Sequence, residues 1–173
     1  AVLDPEVTRT LPPKLTATTG MDALTHAVEA YIGGSTTYGT RKDSVDAVRI
    51  IFRNIRTACN NGDDMNARRE MLCAAYLAGS AFTKSYVGYV HAVAHSLGGK
   101  YNTPHGLANS VLLPFVLEAY GSTAWKKLRR LASEIGISDS SDSDEAGAAK
   151  FIEAVKQMKR DLNIGDHIDG IRE

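Results

Sequence analysis

The chain has 173 residues, 43% hydrophobic and 23% charged, which fits about one domain and excludes the disordered and collagenous classes. Twenty basic side chains balance twenty acidic ones, so no global charge points to nucleic acid or to an anionic lipid surface. No apolar run approaches the ~18 residues that a membrane span needs.

The opening, Ala1-Val2-Leu3-Asp4-Pro5, carries no initiator Met, signal peptide or transit peptide. It reads as the tail of a strand begun upstream, and the chain is expected to be a fragment. After it, helical periodicity dominates and strand signal is nearly absent. Residues 1–15 are an irregular entry segment closed by Pro12 and Pro13. The first helix is expected over 16–32, with Met21, Leu24, Val28, Tyr31 and Ile32 at helical spacing and Gly33-Gly34 as its stop. A long amphipathic helix follows over 42–59, then turn material at Asn60-Asn61-Gly62-Asp63. The next helix, 66–84, is rich in Ala and Gly, and its small residues place it at the centre of the bundle.

A fourth helix is expected over 88–97, ending at Gly98-Gly99, and a fifth from Pro104 to Tyr120 with a kink at Pro114. Gly121 and Ser122 read as a C-cap followed by an N-cap. A short basic helix over 123–135, an acidic Ser/Asp-rich loop over 138–145 and a last helix over 145–162 complete the pattern, and 163–173 trail off. The expected fold is all-α, a multi-helix bundle forming one domain over 1–173. Lys126-Lys127 and Arg129-Arg130 read as a solvated helix face. Cys59 and Cys73 read as small core residues of a reducing, cytoplasmic compartment, and no close-spaced pair suggests a zinc ribbon or redox motif.

Four of the five histidines fall in two groups. Asp22 and His26 are four apart, one helical turn, on a face turned away from the apolar stripe. They either share a divalent metal or form an Asp–His hydrogen bond at a surface. His91 and His95 are again four apart, and His105 follows Pro104 at a helix start. A helix N-terminus disfavours imidazolium and favours the neutral ring that a metal requires. Two core histidines and one capping histidine would give the same spacing. Three histidines within fifteen positions, flanked by glycines that allow close approach, make the metal reading the sharper one. Three imidazoles and one carboxylate suit Fe(II), Zn(II) or a neighbouring divalent ion, whereas Mg(II) and Ca(II) prefer all-oxygen sites. A histidine left out of the ligand set is free to move a proton beside a substrate. H-E-x-x-H, G-x-S-x-G, G-x-G-x-x-G and Walker A motifs are all missing.

The segment Asp4-Pro5, Leu11-Pro12 and Thr18 to Tyr31, which contains Gly20-Met21-Asp22-Ala23-Leu24-Thr25-His26, resembles the first signature of the iron-containing (group III) alcohol dehydrogenases. Gly88 to Leu97, with Tyr101-Asn102-Thr103-Pro104-His105-Gly106 and Ala108-Asn109, resembles the second. The likeness covers most of residues 1–121 and is nearest to the lactaldehyde reductase and propanediol oxidoreductase branch.

The resemblance implies that Asp22, His26, His91 and His105 are metal ligands and that His95 lines the substrate side as the catalytic histidine. His167 matches nothing. Ser96 stands where many relatives carry Pro, and Val93 where Met is usual; neither change removes a ligand. The resemblance further implies the helical domain of a two-domain, dehydroquinate synthase-like dehydrogenase. Such an enzyme interconverts a small alcohol and its aldehyde or ketone with Fe(II), or Zn(II), and NAD or NADP. The cofactor is then held mainly by a missing N-terminal α/β domain. This chain alone is expected to be inactive, its exposed interdomain face to drive association, and the full-length form to be a homo-oligomer. The rival readings are a stand-alone helical metal-binding module and a zinc-type glycerol dehydrogenase-like domain.

Overall fold

The computed structural model describes residues 1–168. Among them lie seven α-helices and no strand: α1 (Pro13–Ile32), α2 (Tyr38–Asn60), α3 (Met65–Ser85), α4 (Tyr89–Tyr101), α5 (His105–Tyr120), α6 (Ser122–Glu134) and α7 (Asp144–Asp161). None of these is long and apolar enough to cross a membrane. Residues 1–4 form no regular element, so no strand tail appears at Ala1-Val2-Leu3, and a 3-10 turn spans Pro5–Thr8.

The entry segment is shorter than its two prolines suggest. Pro13 starts α1 as its first helical residue, where a missing N–H breaks no helical bond. Other starts follow side-chain chemistry. Thr37 and Thr40 form a reciprocal capping box on α2, Asp64 accepts two backbone N–H groups of α3, and Ser143 accepts Ala146 N–H on α7. The acidic loop therefore ends two residues earlier than its composition suggests, with Asp144 already helical. α4 runs through Gly98-Gly99 to Tyr101 and ends at Asn102, which adopts the left-handed conformation (φ 54°). Gly121, with φ 53°, closes α5 and opens α6. α5 continues through Pro114.

The central helix is α1, not the small-residue helix α3. Buried side chains lie around most of its circumference, from Thr16 to Tyr31. It packs on α2, α3, α5 and α6. α3 lies against α1 and α2 with its other face open, and Tyr76 on that face is exposed. Close approach is made instead at single glycines. A Cβ on Gly20 would stand 2.7 Å from Ile55 Cδ1, and one on Gly106 would stand 2.8 Å from the Thr18 carbonyl oxygen. The first lets α1 meet α2; the second lets α5 meet α1.

The core holds Met21, Leu24, Ile51, Ile55, Leu113 and Leu117 around α1, and continues through Leu128, Leu131, Phe151 and Met158 into the α6–α7 pair. Each such side chain contributes about 1.5–3 kcal/mol by leaving water. Cys59 is buried and Cys73 half-buried, both as free thiols. Past α7 the chain does not simply trail off, since Leu162 and Ile164 are buried and Lys159 Nζ donates to Asp166 Oδ1 at 2.8 Å.

Candidate metal centre

α1, α4 and α5 each bring ligand-type side chains to one place. Asp22 and His26 lie a turn apart on α1, as their spacing requires. Both are half-buried, with the His26 ring stacked on Phe82 at 4.3 Å between centroids. His91 comes from the first turn of α4 and is 1% exposed. His105 opens α5, where the contact between Gly106 and Thr18 holds the helix start against α1.

Their polar atoms converge on the Asp22 carboxylate. His26 Nδ1 lies 3.7 Å from Asp22 Oδ2, while His91 Nε2 lies 3.7 Å and His105 Nε2 3.4 Å from Oδ1. One ligand atom each from Asp22, His26 and His91 fits within a mutual 4.8 Å, a spacing that one ion can bridge. His105 stands just outside that trio and is tied to it through Asn109. The Asn109 Nδ2 group donates to Asp22 Oδ1 at 2.5 Å and lies 2.9 Å from His105 Nε2.

Two features single the cluster out from ordinary buried polarity. His91 Nε2 is fully buried and has no hydrogen-bond partner. A native buried polar atom left in that state calls for an explanation, and the lone pair of a ring nitrogen fits a metal ligand. Burial also pushes the His26 imidazole down to about 4, against the opposite pull of Asp22, with His91 and His105 lowering it further. His26 is therefore neutral at pH 7, the form in which it offers a lone pair. The donor set of three imidazoles and one carboxylate fits a borderline divalent ion.

His95 is exposed on α4, one turn beyond His91. Its ring centroid is 4.9 Å from that of His105 and 6.4 Å from that of His91, so it borders the cluster without entering it. His167 is exposed and belongs to no cluster of this kind among the described residues.

Two participants carry no role in the sequence reading. Glu29 is 2% exposed and accepts from His91 Nδ1 at 2.6 Å, from Gly88 N–H at 2.8 Å and from Val90 N–H at 2.8 Å. Its position seven residues after Asp22, two turns on along α1, is the signal that could have found it. Asn109 is the other; it lies four residues after His105, on the same face of α5.

Residues 16–171 match the family described as "Fe-containing alcohol dehydrogenase family, C-terminal". The chain is 42% identical over 168 residues to the 1,3-propanediol dehydrogenase of Klebsiella pneumoniae, covering 97% of this chain and 43% of that protein. A crystal structure of a 1,3-propanediol oxidoreductase is similar at a TM-score of 0.91 and 43% identity, over 95% of this chain and 43% of the other. The sulfoacetaldehyde reductase of Bifidobacterium kashiwanohense, solved in complex with NAD+, has a TM-score of 0.83 at 25% identity, over 94% of this chain and 41% of its own. This chain thus spans less than half the length of these relatives.

Proposed function

The chain belongs to the iron-containing alcohol dehydrogenase family, whose C-terminal region it matches, and from this we propose that it is the metal-holding part of an NAD(P)-linked alcohol dehydrogenase. Asp22, His26, His91 and His105 hold one Fe(II), and Zn(II) is the alternative that the same donors accept. The observation that carries this reading is the buried, unpartnered His91 Nε2 facing Asp22 Oδ1 at 3.7 Å, with the neutral His26 beside it.

The bound ion supplies Lewis-acid polarisation of the substrate oxygen. The remaining work falls to side chains. Asp22 brings a negative charge that offsets part of the ion's. Asn109 holds the Asp22 carboxylate by its amide. His95, exposed at the edge of the cluster, orients the alcohol and holds or passes its hydroxyl proton at a ring nitrogen.

The substrate is a small alcohol or its aldehyde or ketone. NAD or NADP is held mainly by an N-terminal α/β domain of the kind that the relatives' greater length accommodates. Support for such a neighbour comes from α4 and the residues before it, where Tyr86, Val87, Tyr89 and Val93 are exposed. Residues 1–173 act as one helical domain of this enzyme, which works in the cytoplasm as a homo-oligomer; the free Cys59 and Cys73 agree with a reducing compartment.

The test uses the chain joined to its nucleotide-binding part. His95→Ala should retain the metal and lose alcohol oxidation. Full activity would refute the proton role. The 173-residue chain by itself should reduce no NAD(P), and turnover by it would refute the division of labour.

A further inference from the structure

α1 carries Asp22 and His26, and α4 carries His91 and His95, yet these two helices hardly meet. The α4 backbone packs on α5 rather than on α1. The His26 and His91 rings touch across the gap, 4.2 Å between centroids, and one buried side chain supplies hydrogen bonds across it. Glu29, near the C-terminal end of α1, places one carboxylate oxygen on Gly88 N–H and His91 Nδ1 and the other on Val90 N–H. Approach this close requires glycine at 88, because a Cβ there would stand 2.7 Å from Glu29 Oε1.

A carboxylate only accepts, so the proton between Glu29 and His91 sits on Nδ1. In the neutral ring that a metal requires, Nε2 is then the nitrogen with the free lone pair, and Nε2 is the buried atom that faces Asp22 without a hydrogen-bond partner. The carboxylate also sits on the N-terminal amides of α4, where the helix dipole favours its charge. Resting on the metal-centre reading above, we infer that Glu29 is a positioning residue for His91. It fixes the ring's tautomer, turns Nε2 toward Asp22, and ties α4 to α1 so that ligands from two weakly contacting helices share one centre. The bond is made entirely inside the protein, with His91 and Glu29 side chains 2% and 1% exposed, so solvent does not compete for it.

Two measurements test this. In the metal-free wild-type chain, the ring 15N shifts of His91 should report the Nδ1–H tautomer alone; an Nε2–H tautomer overturns the inference. Glu29→Gln keeps the volume but removes the charge and one acceptor oxygen. It should weaken Zn(II) binding about 10- to 100-fold in competition with a chelator, and alter the visible spectrum of the Co(II)-loaded protein. A folded Glu29→Gln chain that binds Zn(II) as tightly as wild type overturns the inference while leaving the centre intact. A wild type that binds no Zn(II) overturns the metal-centre reading itself. Should Glu29→Gln fail to fold, the tautomer measured in the wild type decides alone.

Discussion

The α6–α7 pair and the junction of α1, α4 and α5 treat polar side chains in opposite ways. Around α6 and α7, charges meet at or near the surface and find simple partners. Arg129 Nε bonds Asp144 at 2.7 Å, Arg160 bonds Glu153 at 2.6 Å, and Lys150 bonds Asp142 at 2.7 Å. Lys127, one of the four residues of the basic patch, donates to the carbonyl oxygens of Ile32 and Gly33 at the end of α1. Exposed pairs of this kind add little to stability, because water screens them. At the other junction a carboxylate, an imidazole and an amide are buried between helices, and His91 Nε2 and Asn109 Oδ1 are left without partners. Such orphans cost about 1–3 kcal/mol apiece. One region settles its charges in surface pairs; the other holds buried lone pairs without partners.

The largest expected effect separates the two regions outright. His91→Ala should abolish metal retention while the fold persists, because it also removes the orphan nitrogen; metal content is the readout. A matched pair of glycine substitutions sharpens the contrast. Gly106→Ala drives a Cβ into the Thr18 backbone, so α5 and α1 must separate where His105 enters the centre. It should cost about 1–3 kcal/mol in denaturant unfolding and weaken Zn(II) binding by about 10-fold or more. Gly147→Ala drives a Cβ into Arg129 Cβ and Ser138 Oγ, both at 2.8 Å, in the α6–α7 pair. It should cost a similar ~1–3 kcal/mol and leave Zn(II) affinity unchanged. Equal losses of affinity in both variants would break the distinction.

The smallest effect is a pH dependence in the α6–α7 region. Lys150, then Ser138 and the Asp139 N–H, hold the Asp142 carboxyl down at about 2, below its ordinary 3.8. A lowered carboxyl stabilises the fold above its unfolded value, and that contribution is lost as pH falls through the folded one. Asp142→Asn should therefore flatten the acid-unfolding curve between about pH 4 and pH 2 without touching metal content. An unchanged acid limb would contradict the assignment.

The helices were legible in the sequence because their apolar spacing and caps are local signals. Each of the seven is present, and Gly33 and Gly121 end α1 and α5 as expected. Misreadings arose where tertiary contact overrides a local rule. Gly98 and Gly99 carry the usual helical penalty of about 1 kcal/mol each, yet α4 continues to the left-handed Asn102. The small residues of α3 suggested a central helix, but α1 holds the centre because its polar residues are buried too. Glu29 is the clearest instance: it stands within a quoted motif, in a helix with polar residues on several faces, and nothing local tells an exposed glutamate from a buried one. Asp22, His26, His91 and His105 were singled out as a ligand set by the resemblance of their segments to the family's two signatures, because helical spacing alone offered His95 equally. The convergence of the three imidazoles on the one Asp22 carboxylate depends on helix packing and could be seen only in three dimensions.

The central claim is that this helical chain holds one metal ion at the junction of α1, α4 and α5. Anaerobic purification of the 173-residue chain and of its His91→Ala variant, followed by elemental analysis, tests it most directly. One iron or zinc per wild-type chain and none in the variant is the predicted result. A wild type devoid of metal after reconstitution with Fe(II) or Zn(II), or a variant with the same stoichiometry, would contradict it.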